Sequence, residues 1–124
     1  MRTIEMNGTA YPVKFGMGFL KKINGKKKVA VEGMPGTQQN VGLRYAYSQL
    51  MDGNVETLID VILLANETEE PRLSRQTVEE FIDDDTVDID RVFDDVTNFL
   101  STSNATKKQV AIVKEAIEKE MAKL

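Results

Sequence analysis

The sequence predicts a mainly α-helical protein, a bundle of about five to six helices with a small N-terminal β-hairpin. Three observations lead to this prediction: an Asn-Gly pair between two short runs, apolar residues at helical spacing, and polar capping residues before the periodic segments. The 124 residues suit a single domain. We expect a hairpin over residues 1–14, a mobile loop over 24–40 and helices over 41–124.

The hairpin prediction comes from Asn7-Gly8, which separates Thr3–Met6 from Ala10–Lys14. Both central positions of a type I′ turn need a positive φ angle, which asparagine and glycine tolerate best. A lone hairpin is marginally stable in water, so we expect it to pack against the helices.

A short helix is expected next, because Phe15, Phe19, Leu20 and Ile23 share one helical face. The segment 24–40 that follows is rich in residues that interrupt regular structure. These residues are Gly25, Gly33, Pro35 and Gly36. Long connections in a compact domain are unusual and tend to be disordered or functional, which favours a mobile loop.

Two helices joined by a tight turn are predicted in the middle of the chain. Asn40 is the expected N-cap of a helix over Val41–Met51. Gly53 suits the left-handed position after this helix, and Asn54 suits the next N-cap. The second helix, Val55–Ala65, is apolar nearly all round, so we expect it to be the most buried element.

Three further helices are predicted from their caps and apolar spacing. Ser74 and Asp88 precede two of them, and Asn104 precedes the last, which should run to about Lys123. The apolar positions that should face the core are Val78, Phe81 and Ile82, then Ile89, Val92, Phe93, Val96, Phe99 and Leu100, then Val110, Val113, Ile117, Met121 and Leu124.

The composition argues against an enzyme and against a metal or cofactor site. The chain has no cysteine and no histidine, so thiolate chemistry and every His-dependent triad are excluded. Seven of the sixteen residues in 81–96 are aspartate. Their spacing lacks the glycine and the final glutamate of an EF-hand loop, and no glycine-rich phosphate loop accompanies them. We therefore expect an acidic surface, with no catalytic, cofactor or metal residues. We also expect no secretory signal, because the N-terminal segment has no apolar run, and no transmembrane helix.

Charge is distributed unevenly along the chain. Residues 1–50 carry a net charge of +6, residues 51–100 carry −12, and the whole chain carries −4. A basic cluster of Lys21, Lys22, Lys26, Lys27 and Lys28 surrounds the loop and is either a solvated loop or a docking patch for an acidic protein segment. A nucleic-acid partner is not expected, since the isoelectric point is near 4.9 and no recognition motif is present.

The last predicted helix is the other candidate for partner contact. Its apolar stripe is narrow and charged residues flank it, so the stripe either packs within the domain or pairs with a partner helix. The candidate partner-binding residues are therefore Lys26, Lys27, Lys28, Val110, Val113, Ile117 and Met121.

Four stretches together resemble one protein family. They are MNGTAYPVKFGMGFL at 6–20, GLRYAYSQLMDGNVETLIDVI at 42–62, NETEEPRLSRQTVEEFIDD at 66–84 and FLSTSNATKKQV at 99–110. Their order and spacing resemble the tail assembly chaperones of long-tailed phages and prophages of Gram-positive bacteria. The resemblance covers nearly the whole chain, and it depends on the four stretches jointly.

The resemblance implies a binding protein without enzymatic activity. Such a chaperone would bind the tape measure protein, keep it soluble until tail tube protein polymerises around it, and then be displaced. It would act in the host bacterial cytoplasm and be absent from the mature virion. Self-association stays open, as does a longer product made by ribosomal frameshifting. The alternative from another class is a structural tail or connector subunit of the virion.

Overall fold

A computed structural model describes residues 2–30 and 32–123 and confirms the predicted fold class. Within these residues the chain forms six helices and two short hairpins. The first hairpin precedes the first helix, and the second lies between the first and second helices. The strands are β1 (Arg2–Met6), β2 (Thr9–Val13), β3 (Lys28–Ala30) and β4 (Gln38–Asn40). The helices are α1 (Met17–Asn24), α2 (Gly42–Met51), α3 (Val55–Asn66), α4 (Arg75–Asp83), α5 (Ile89–Thr102) and α6 (Lys107–Ala122).

The N-terminal hairpin forms as predicted. β1 and β2 pair antiparallel, and the turn residues Asn7 and Gly8 have φ angles of 53° and 81°. Ile4 and Met6 point to the same face and are buried. The hairpin is attached to the helices by the N–H of Lys14, which donates to the carbonyl of Ala65 at 2.8 Å.

α3 is the central element of the bundle, as its all-round apolar sequence predicts. It contacts β2 and the helices α1, α2, α4 and α5, whereas α6 packs on α2 and α5. Its fully or almost fully buried side chains are Leu58, Val61, Ile62, Ala65 and Asn66. Apolar burial around α3 therefore holds the N-terminal hairpin and the helices α1, α2, α4 and α5 in one core.

The junction between α1 and α2 differs from the prediction. Asn40 is not the N-cap of α2, because it lies in β4 and α2 begins after Val41. The side chain of Asn24, at the end of α1, accepts a hydrogen bond from the N–H of Leu43 at 3.0 Å. A donor at the start of α2 is thus satisfied by a residue nineteen positions earlier, which local spacing could not reveal.

The remaining caps divide into three that were predicted correctly and one that was not. The side chains of Asn54, Ser74 and Asp88 accept hydrogen bonds from backbone N–H groups in the first turns of α3, α4 and α5. Asn104 is not a cap, because α6 begins after Thr106. The buried hydroxyl of Thr106 donates to the carbonyl of Leu100 at 2.6 Å and ties the α5–α6 turn to the end of α5.

The segment predicted as a mobile loop, 24–40, contains more regular structure than expected. α1 extends to Asn24, and β3 pairs antiparallel with β4 through Lys28↔Asn40, Val29↔Gln39 and Ala30↔Gln38. The side chains of both strands are exposed. Gly33 and Gly36 lie in the connecting loop of this second hairpin, both with positive φ angles, whereas Gly25 is the C-cap of α1.

Asn66 joins three separate parts of the chain through one buried side chain. Its amide nitrogen donates to the carbonyls of Pro12 at 2.8 Å and Pro71 at 3.1 Å, and its amide oxygen accepts from the N–H of Leu73 at 2.6 Å. The residue has no solvent exposure. Because buried backbone groups need partners, this amide fixes the hairpin and the α3–α4 connection relative to each other.

We expect Asn66→Ala to lower the free energy of unfolding by roughly 3 kcal/mol, because it leaves the buried N–H of Leu73 and the part-buried carbonyls of Pro12 and Pro71 without this partner. Urea unfolding followed by circular dichroism measures the change. Asn98→Ala is the matched control, since Asn98 is exposed on α5 and its removal should change stability by about 0.5 kcal/mol or less. Equal effects of the two substitutions would contradict the structural role of Asn66.

We expect Gly42→Ala to destabilise the fold by about 3 kcal/mol or more, because a Cβ atom there would lie 1.6 Å from the carbonyl oxygen of Ile23. The control is Gly18→Ala in α1, where nothing lies within 4 Å of the added Cβ. That change should raise stability by roughly 0.5–1 kcal/mol, because alanine has the higher helix propensity. Thermal unfolding of the two variants should therefore shift in opposite directions.

Candidate partner-binding surfaces

The aspartate-rich segment forms helix ends and a turn. α4 ends at Asp83, and the carboxylate of Asp84 accepts hydrogen bonds from the hydroxyl and the N–H of Thr86 at 2.7 and 3.0 Å. These bonds, the hydroxyl bond first, hold the pKa of Asp84 below its ordinary value. Asp88 caps α5. Within residues 2–30 and 32–123, no group of three or more carboxylates is placed to hold a metal ion.

The three candidate lysines lie at the base of the β3–β4 hairpin. The carbonyl of Lys27 accepts from the N–H of Val41 at 2.9 Å, which closes the hairpin next to the start of α2. The ammonium group of Lys27 lies 4.9 Å from the ring centre of Tyr45, a cation–π contact. Lys26 precedes it, and Lys28 begins β3 with an exposed side chain. The structure thus places Lys27 against the ring of Tyr45, with Lys26 and Lys28 on either side of it in the chain.

An apolar cleft lies beside these lysines, between α1, α2 and α3. It has a volume of about 170 Å³, and its lining includes Ile23, Ala46, Val61 and Tyr45 together with Lys26 and Lys27. The first three are buried, whereas Tyr45 is 48% exposed. Tyr45 was not among the candidate site residues predicted from the sequence.

The four candidate residues of α6 are not equivalent. Val110 is buried in the core, Val113 and Ile117 are half-buried, and Met121 is 66% exposed. Leu124, the last residue of the predicted stripe, lies outside the described residues. From Lys114 to Lys123, Ile117 is the only residue that is not exposed. The first half of α6 therefore packs within the domain, and the second half leaves its stripe largely uncovered.

A groove with acidic side chains on its rim lies between α5 and the α2–α3 turn. Its apolar lining includes Met51, Val55 and Phe93, and Asp90 and Asp94 stand beside them. Met51 and Val55 are partly exposed. Phe93 was predicted to face the core, and it packs against the core as a half-buried side chain; the groove itself was not predicted from the sequence.

The match to a family model decides the class of the protein. The model described as "Phage tail assembly chaperone protein, TAC" matches residues 3–115. The chain belongs to the phage tail assembly chaperone family. No curated protein and no solved structure matches it.

The family match covers both hairpins from Thr3 onward, the helices α1 to α5 and the first half of α6. It confirms the resemblance that the four sequence stretches indicated. Tail assembly chaperones act by binding other proteins, so exposed apolar surface is the feature with functional meaning here. Within residues 2–30 and 32–123, no helix combines the length and the apolar character of a transmembrane span.

An ion pair at the end of α3 gives a pH-dependent contribution to stability. Lys22 donates to the carboxylate of Glu67 at 2.7 Å, and this hydrogen bond lowers the pKa of Glu67 below its ordinary value of 4.5. A group with a lowered folded-state pKa stabilises the fold above its unfolded-state pKa and loses this contribution as the pH falls through the folded value.

We therefore expect Glu67→Gln to reduce the free energy of unfolding at neutral pH and to have a smaller effect when the pH falls below the folded-state pKa of Glu67. Urea unfolding across this pH range measures the difference. Glu79→Gln removes the same charge at an exposed position without an ion pair among the described residues, and it serves as the control. A pH-independent difference between wild type and Glu67→Gln would contradict the role of the Lys22–Glu67 pair.

Proposed function

We propose that this tail assembly chaperone binds the tape measure protein, keeps it soluble, and helps to recruit tail tube subunits during tail morphogenesis. The structural observation that supports this proposal is the uncovered apolar stripe on the second half of α6. A tape measure protein is a long helical protein, and helices associate most readily through apolar stripes.

The geometry of α6 suits a reversible contact with a helix. Its sixteen residues correspond to a length of about 24 Å, and the first half is anchored by the burial of Val110 and Thr106. The second half presents Ile117 and Met121 on one side, with charged residues around them. A small apolar contact with a polar rim can form specifically and still be displaced by a competing protein.

The cellular location follows from this role. We place the protein in the cytoplasm of the host bacterium during assembly, and we expect it to be absent from the mature virion, because tube subunits displace it. The acidic face of α4 and α5 would keep the chaperone–client complex dispersed by charge repulsion.

Co-expression with the tape measure protein of the same phage tests the proposal. We expect a complex that co-purifies and a larger soluble fraction of the tape measure protein than without the chaperone. Absence of both would reject the proposed function. Detection of the chain in purified virions would favour a structural tail subunit instead.

A pair of α6 variants tests the contact surface. We expect Ile117→Asp combined with Met121→Asp to reduce the co-purified tape measure protein about tenfold or more, because charge replaces the apolar stripe. Ala111→Asp combined with Ala122→Asp adds the same charge at exposed positions on a different side of α6, roughly 100° around the helix axis, and should leave the yield within about twofold. Equal yields from both double variants would assign the contact to another surface.

A further inference from the structure

The cleft between α1, α2 and α3 has the shape of a receptor for one apolar side chain. Ile23, Ala46 and Val61 contribute buried apolar surface to its lining, and the ring of Tyr45 forms an exposed wall. Its volume is about 170 Å³. An apolar cavity of about 150 Å³ takes up a benzene molecule, so a leucine or phenylalanine side chain is a suitable occupant.

The cleft continues into a shallower groove over the outer side of α3. Leu64, Lys26 and Asp60 line both cavities, and Leu63 and Leu73 extend the apolar lining. Leu63 and Leu64 are half-buried although α3 is the central helix of the bundle. This side of α3 therefore offers apolar surface to a second side chain next to the first.

The charges around the cleft leave a net positive rim. Asp60 is paired with Arg75, and Glu67 is paired with Lys22. Within the described ranges, 2–30 and 32–123, no carboxylate forms an ion pair with Lys26 or Lys27. Two cations at an apolar cleft whose carboxylates are already neutralised favour an acidic partner.

We propose that this cleft binds an acidic amphipathic helix, which inserts one leucine or phenylalanine into the cleft and pairs carboxylates with Lys26 and Lys27. Residues three and four positions apart lie on one helix face, about 5–6 Å between their Cβ atoms, so an anchor and a carboxylate one turn away reach the cleft and its rim together. The inference rests on the proposed function, because it names the chemistry of the client segment that the chaperone recognises.

This contact is separate from the one on α6 and differs from it in kind. The α6 stripe is apolar with mixed charges beside it, whereas the cleft combines a concave apolar pocket with cations of one sign. A client helix bound at the cleft is selected by charge, and binding should weaken as salt concentration rises.

Two synthetic helical peptides test the proposal on the full chain. They share one leucine anchor and all other apolar positions, and differ only in carrying glutamate or lysine at the flanking polar positions. Titrations followed by amide chemical shifts should show that the glutamate peptide binds about tenfold or more tightly than the lysine peptide, with the largest shifts at Tyr45, Ala46 and Leu64.

Charge reversal provides the matched comparison. Lys26→Glu combined with Lys27→Glu should weaken binding of the glutamate peptide about tenfold or more and strengthen binding of the lysine peptide. The control, Lys107→Glu combined with Lys108→Glu, makes the same charge change on α6 and should leave both affinities within about twofold. Tyr45→Ser should weaken both peptides, because it removes one wall of the cleft. All of these side chains are exposed, so the variants should retain the helical circular dichroism of the wild type.

Three results would overturn the inference. The first is equal affinity for the two peptides, and the second is a set of chemical-shift changes centred away from the cleft. The third is a concentration-dependent dimer that Tyr45→Ser abolishes, because the cleft would then bind a second copy of the chain. A tape measure complex that survives charge reversal at Lys26 and Lys27 unchanged would reject this docking site and leave the proposed function intact. Conversely, if the wild-type chain gave neither a co-purifying complex nor a larger soluble fraction of the tape measure protein, the proposed function would be rejected. The peptide titrations would still decide which charge the cleft binds.

Discussion

The buried amide of Asn66 is the constraint on which the rest of the architecture depends. α3 ends at this residue, and its side chain supplies partners for backbone groups of the hairpin and of the α3–α4 connection. Apolar packing around α3 is not directional, so burial alone would allow the hairpin to attach in several orientations. Hydrogen bonds to a single amide select one of them, because an unpaired buried carbonyl or N–H is costly. Apolar burial thus supplies the stability of the bundle, and the Asn66 amide, together with the hydrogen bond between Lys14 and Ala65, sets the orientation of the hairpin.

A second close contact, between α1 and α2, shapes the surface that we assign to client recognition. Gly42 allows the start of α2 to approach the backbone of Ile23, and the side chain of Asn24 satisfies the N–H of Leu43. This approach brings the α1 terminus, with the lysines that follow it, next to the exposed ring of Tyr45. The fold and the candidate site therefore depend on the same junction, because Gly42 permits the close approach of α1 and α2 and also lines the cleft.

The elements that depend on short-range interactions along the chain were predicted correctly from the sequence. The Asn7-Gly8 turn, the caps Asn54, Ser74 and Asp88, and the apolar periodicity of α5 all formed as predicted, because each depends on neighbours within a few positions. Asn40 and Asn104 failed as caps for different reasons. A donor at the start of α2 is satisfied by Asn24, nineteen positions earlier, and α6 begins after Thr106 without a side-chain cap hydrogen bond. The same limit applies to the candidate site. The lysines could be named from composition, but the cleft beside them required the packing of three helices.

The division of α6 into a packed half and an uncovered half has a consequence for how a complex would be released. Beyond Lys114, local ion pairs such as Glu115–Lys119 and Lys123–Glu120 replace most of the core contacts that hold the first half. Pairs of this kind add only a few tenths of a kcal/mol each, so the free energy needed to unfold this end of the helix locally is small. A partner that binds there must bear the entropic cost of keeping it ordered. If tube subunits displace the chaperone, as we propose, fraying of the final turns of α6 would shorten the lifetime of the contact and help this displacement.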